Sequence, residues 1–181
     1  SELYKNLDLI KFLILTPMLL SAFFVDLKHR IIPNRLNLTI FETGLILTFL
    51  YGINNINIAK DMLLGMLTGA GIFIGITLLG GLIAGKEAMG LGDVKFMGAV
   101  GLFFGVGTIA EISLLAFFIA AILSILILAI RAIKKEKDEY IPFGPFLVLA
   151  SIFCMFAPTN TVFLAFFGFC KMLSNKLLGI G

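Results

Sequence analysis

Residues 94–130 read VKFMGAVGLFFGVGTIAEISLLAFFIAAILSILILAI, and how that stretch is divided decides the fold. After Lys95 it carries one ionisable side chain, Glu111, so no run of charge marks an end within it. As a single helix rising ~1.5 Å per residue it would be about 55 Å long. That far exceeds the ~30 Å hydrocarbon core of a bilayer, even for a tilted helix. Two shorter segments are therefore preferred, and Gly105, Gly107 and Thr108 beside Glu111 predict a tight hairpin between them.

The rest of the chain places this stretch in lipid. Of 181 residues, 60% are hydrophobic and 14% charged, and the mean hydropathy is +1.09, whereas a soluble domain is roughly 25% charged. A soluble fold of this size could not cover itself with so little polar surface, so the apolar excess faces lipid tails. The expectation is one all-α membrane domain covering residues 1–181. The net charge of +3 is small and scattered, with basic residues flanking apolar runs, which excludes a nucleic-acid surface. Cys154 and Cys170 form no CxxC pair, and His29 is the single histidine, so neither a disulfide framework nor a zinc site is signalled. No cofactor is expected. The start of the chain mixes Glu2 and Asp8 with lysines, unlike a cleavable signal peptide, so the first apolar run is expected to be retained.

Marking apolar runs and letting charges and prolines end them predicts six spans, over residues 9–25, 36–53, 62–84, 94–107, 112–130 and 146–169. The fourth reaches only about 21 Å, so one of its ends lies below the membrane surface. Pro158 to Thr161 interrupt the last run as a kink or a shallow turn. Glycine pairs at Gly65 and Gly69, Gly71 and Gly75, and Gly101 and Gly105 suit close helix packing in lipid. Six spans put the loops after spans one, three and five on one face. That face holds Lys28, Arg30, Arg35, Lys86, Lys95, Arg131, Lys134, Lys135 and Lys137, nine of the 14 basic residues, and so is expected to be cytoplasmic.

Parity then places Asp26, at the end of the first span, and Asp93, at the start of the fourth, on the same membrane edge. Pro33 stops the first helix and Asn34 is positioned to cap the second. Gly90 and Gly92 let the backbone before Asp93 turn sharply or approach another chain. Two carboxylates brought close share one proton, which suits the hydrolysis of a peptide bond: the ionised acid draws a proton from water while the other polarises the carbonyl. Taken singly, Asp26 reads as a solvated interface charge beside Lys28 and Arg30, and Asp93 as a helix N-terminal aspartate. Glu42 lies inside the second span, where an ionisable group is costly, and is expected to face the bundle as a hydrogen-bonding partner near the pair. Glu87 is expected to position the loop before Asp93, and Lys95 to anchor the interface or tune the aspartates. Asp61 and Glu111 are expected in solvated outer loops, and His29 at the interface.

Gly90-Leu91-Gly92-Asp93-Val94-Lys95 resembles the GxGD motif of bacterial type IV prepilin peptidases, and the segment from Asp26 to Leu36 resembles that family's first-aspartate segment. The stretch from Gly85 to Gly90, and Ile141-Pro142-Phe143-Gly144-Pro145-Phe146, are similar to further family segments, so the likeness runs from the first helix to the sixth. The resemblance implies a membrane aspartic protease with Asp26 and Asp93 as the catalytic pair. Its partners would be prepilin-like substrates with an apolar amino-terminal helix, cut after a glycine at the cytoplasmic face of the bacterial inner membrane. Nothing here matches the four-cysteine, zinc-binding domain that accompanies methyltransferase activity in many members, so a peptidase-only form or a trimmed peptidase domain is expected. Two rival readings stay open. One is a GxGD protease of the presenilin and signal-peptide-peptidase class, although that class has a Tyr-Asp first site where this chain has Val25-Asp26. The other is a small transporter that carries protons or cations along Asp26, Glu42 and Asp93.

Overall fold

The computed structural model describes residues 2–84, 89–134, 142–157 and 160–178. Six helices follow in order: α1 (Glu2–His29), α2 (Asn34–Asn54), α3 (Ile56–Ala84), α4 (Leu91–Lys134), α5 (Gly144–Phe156) and α6 (Thr161–Leu178). Four segments are long and apolar enough to cross a membrane: Leu9–His29, Asn34–Asn54, Ile56–Leu82 and Leu91–Ile127. The exterior is apolar, with Leu13, Leu82 and Phe156 all strongly exposed, while Asp26, Asn37, Asp93 and Glu111 are buried. This is the distribution expected where lipid, not water, surrounds the bundle. The buried hydroxyls of Thr48, Ser113 and Ser151 donate to carbonyls one turn back, on Gly44, Ile109 and Leu147, so they need no outside partner.

The long helix α4 is folded on itself at Gly105, whose φ of 74° and ψ of 179° break the helical path. Contacts with α3 give the direction of each arm. Gly101 meets Gly65, and Met97 meets Gly69, so the first arm runs antiparallel to α3. Ile109 then meets Gly69 and the ring of Phe117 stacks on Phe73 at 5.6 Å, so the second arm returns alongside α3. The hairpin expected from bilayer thickness is therefore present, with its turn at Gly105. Asp61 holds that turn, its Oδ1 accepting from Val106 N–H at 3.3 Å. A side chain at Gly105 would collide with the Asp61 carboxylate, and its φ lies where L-residues are strained.

Several expectations are corrected. Glu111 does not sit in a solvated loop: it lies in the second arm of α4 and is 3% exposed. Asp61 belongs to α3 and has the turn to hold rather than a loop of its own. Gly65, Gly69 and Gly101 do allow backbone-to-backbone approach, but Gly71 and Gly75 face open space, because they lie on the outer side of α3. The single sixth span is instead two helices, α5 and α6, whose axes diverge by 104°. Asn160, with φ of 70°, precedes α6, while Pro158 and Thr159 lie outside the described residues.

Candidate active site

The end of α1 and the start of α2 build one wall of the site. The N–H of Arg30 donates to Asp26 O at 2.8 Å as the last helical bond, and Arg30 adopts φ of 57°, turning the chain out of the helix. Pro33 is the residue that caps α2, with an extended backbone and no side-chain cap. Asn34 is the first helical residue and does not cap: its Oδ1 accepts from Lys95 Nζ at 3.0 Å. That bond ties α2 to the first arm of α4.

The glycine-flanked turn builds the second wall. Asp93 N–H donates to Gly90 O at 3.0 Å, closing the turn that opens α4. Among the described glycines only Gly105 has positive φ, so Gly90 and Gly92 are not needed for a left-handed backbone. A Cβ at Gly92 would lie 3.4 Å from the Ile32 carbonyl oxygen, an ordinary contact, so the turn sits against Ile32 without requiring glycine there. Asn37, buried inside α2, donates from Nδ2 to Gly92 O at 3.0 Å and so fixes this turn against α2.

The third wall is the start of α5. Phe143 packs with Phe73, Phe117 and Phe146 at centroid distances of 6.2, 5.3 and 6.1 Å. That aromatic cluster anchors the chain just before Gly144, whose N–H donates to the Asp26 carboxylate. A Cβ at Gly144 would overlap the carboxylate, so the backbone can come this near only as glycine.

These walls enclose a cavity of about 470 Å³ whose lining includes Asp26, Asp93, Gly90, Gly92, Pro33 and Phe143. Asp26 is 3% and Asp93 8% exposed, and the two lie close enough for the charge of one to act on the other. Asp26 Oδ2 is buried without a hydrogen-bond partner, an arrangement that costs ~1–3 kcal/mol unless a ligand or water supplies a proton. A pair of this kind can hold one shared proton and one water between two carboxyl groups. Among the described residues no three His, Cys, Asp or Glu side chains converge as metal ligands.

Of the residues singled out in the sequence, Asp26, Asp93, Gly90, Gly92, Pro33, Asn34 and Lys95 all line this cavity. Glu42 does not: it lies on the exposed side of α2, two turns along from Asn34, and does not face the bundle. His29 is exposed at the end of α1, and Glu87 lies outside the described residues. Sequence reasoning missed Asn37 and gave Gly144 and Phe143 no role. Asn37 had a signal, being an amide one turn into a helix whose neighbours are mostly apolar.

Comparison with known proteins shows the family. The chain is similar to the prepilin leader peptidase/N-methyltransferase of Aeromonas hydrophila, 30% identical over 138 residues, covering 76% of this chain and 46% of that protein. The protein of the same description from Legionella pneumophila is 32% identical over 142 residues, covering 77% and 47%. The type 4 prepilin-like proteins leader peptide-processing enzyme of Escherichia coli O78:H11 is 29% identical, covering 77% and 49%. The chain thus spans about half the length of these relatives. No solved structure matches. The model of the type IV leader peptidase family matches residues 13–129, the region that carries both aspartates and the walls formed by α1, α2 and α4, and the chain belongs to that family.

Proposed function

We propose that this chain is a membrane aspartic endopeptidase that removes the short basic leader from prepilin-like proteins, using Asp26 and Asp93 to activate water. The observation that carries the reading is the meeting of two buried carboxylates, from α1 and α4, in one cavity with an unpartnered Asp26 oxygen. The relatives' description as prepilin leader peptidases supports the same substrate class.

In this mechanism the ionised aspartate takes a proton from water as the water oxygen bonds to the scissile carbonyl carbon. The protonated aspartate gives its proton to the carbonyl oxygen, yielding a neutral gem-diol. Collapse breaks the C–N bond: one aspartate gives its proton to the leaving amine while a gem-diol hydroxyl gives its proton to the other, so the acid product forms and the pair returns to one shared proton. Gly144 N–H holds the Asp26 carboxylate in place throughout. Burial keeps bulk water from competing with these bonds.

The excess of basic residues on the loops beside the dyad supports a cytoplasmic active site in the inner membrane. Single replacement by Asp26→Asn or Asp93→Asn abolishes cleavage of a prepilin-like substrate by the purified, folded protein, measured by mass spectrometry of the products. Full activity in either variant would refute the assignment. Ion flux into liposomes holding the wild type, without cleavage, would favour the transporter reading instead.

A further inference from the structure

The face of α2 that leads away from the dyad is apolar and unfilled. Leu38 and Phe41 line a cavity of about 420 Å³ against Met66 of α3 and Gly98 of α4. Further along the same helix, Leu45, Phe49 and Gly52 line a second cavity of about 550 Å³ against α3. Positions 38, 41, 45, 49 and 52 recur every three or four residues and so form one stripe. From Asn34 to Gly52 the stripe extends about 27 Å, close to the ~30 Å of a hydrocarbon core. Its near end borders the dyad cavity, because Asn34 and Lys95, bonded to each other, line both.

One polar group indicates that something other than lipid covers this face. Asn37 lines the cavity and is 4% exposed, and its Oδ1 has no hydrogen-bond partner. Because Nδ2 is committed to Gly92 O, the orphaned atom is an acceptor waiting for a donor. An apolar helix has its own unpaired donors, the N–H groups of its first turn.

We infer that this face of α2 is the docking groove for the apolar helix of the substrate, and that Asn37 Oδ1 accepts a first-turn N–H where that helix leaves the groove for the dyad. The inference rests on the leader-peptidase reading and adds the path by which the substrate reaches it. The groove's length fits one membrane-spanning helix. Its near end beside the dyad cavity brings the segment just before that helix to Asp26 and Asp93.

The test places a photo-crosslinking phenylalanine analogue at Leu38, at Phe49 or, as control, at exposed Leu126 on the second arm of α4, in the full chain carrying Asp93→Asn. With a prepilin in liposomes, positions 38 and 49 capture the substrate and position 126 does not. In the active chain Leu38→Trp raises KM for the prepilin about tenfold, through loss of one large side chain's worth of contact, and leaves kcat within about twofold. Leu126→Trp changes neither. If the wild-type protein cleaves the prepilin, crosslinking of the Asp93→Asn chains equally from all three positions, or only to a second copy or to lipid, overturns the groove and spares the peptidase reading. A wild-type protein that cleaves no prepilin overturns both.

Discussion

Replacing Gly144 by alanine tests how the first aspartate is held. The added Cβ would lie 2.8 Å from Asp26 Cγ and 3.2 Å from its Cβ, where ordinary contacts begin at 3.4 Å. Either the carboxylate or the start of α5 must therefore give way by about 0.6 Å or more. The start of α5 resists, because Phe143 and Phe146 are locked into the aromatic cluster with Phe73 and Phe117. The carboxylate then turns, and the N–H bond from Gly144 is stretched or lost. A hydrogen bond to a charged group is worth ~1.5–3 kcal/mol, and misplacing a reacting group by ~1 Å costs about a hundredfold. Gly144→Ala is therefore expected to lower kcat/KM for prepilin cleavage by roughly ten- to a hundredfold. Helicity by circular dichroism should stay unchanged, and Gly144→Ser should lose at least as much. Wild-type kcat/KM in a well-folded Gly144→Ala protein would refute the claim that this backbone contact positions Asp26.

Gly105→Ala forces a β-carbon into a left-handed backbone and against Asp61, so the α4 hairpin should weaken by at least ~1–2 kcal/mol; unfolding in mixed micelles measures this, and an unchanged midpoint would count against the turn. Asn37→Leu keeps similar bulk but removes the bond to Gly92 O, and is expected to reduce kcat/KM about tenfold. Asn37→Gln, which retains the amide, should recover part of that activity, and equal loss in both would argue for packing alone. Because one proton is shared by the dyad, kcat against pH should be bell-shaped; a monotonic profile would speak against coupled acids.

The site is assembled by contacts between distant parts of the chain. Asp26 is held by a backbone group on α5, and the turn before Asp93 by a side chain of α2. Neither aspartate is positioned by its own helix alone. This divides the work: α1 and α4 supply the acids, while α2 and α5 set their placement. Neither glycine of the turn is demanded by a steric contact: a Cβ at Gly92 would come no nearer than 3.4 Å to Ile32, and one at Gly90 would meet nothing nearer than 3.9 Å.

Composition alone placed this chain in lipid, because too few polar residues exist to clothe it in water. Bilayer thickness then divided residues 94–130 into a hairpin, and parity put Asp26 and Asp93 together, as one cavity holds them. Those conclusions rest on length and count, which a sequence displays directly. Which face of each helix is buried was not legible. A membrane helix is apolar on the lipid side as well as the core side, so the periodic contrast that marks a buried face in water is absent. For that reason Glu42, expected inside, lies outside, and Glu111, expected outside, lies within. Gly71 and Gly75 share the spacing of Gly65 and Gly69 but pack against nothing. The meeting of Gly144 with Asp26 joins residues more than a hundred positions apart. Only the packed bundle decides such a contact, because no local preference of either segment encodes the other's position.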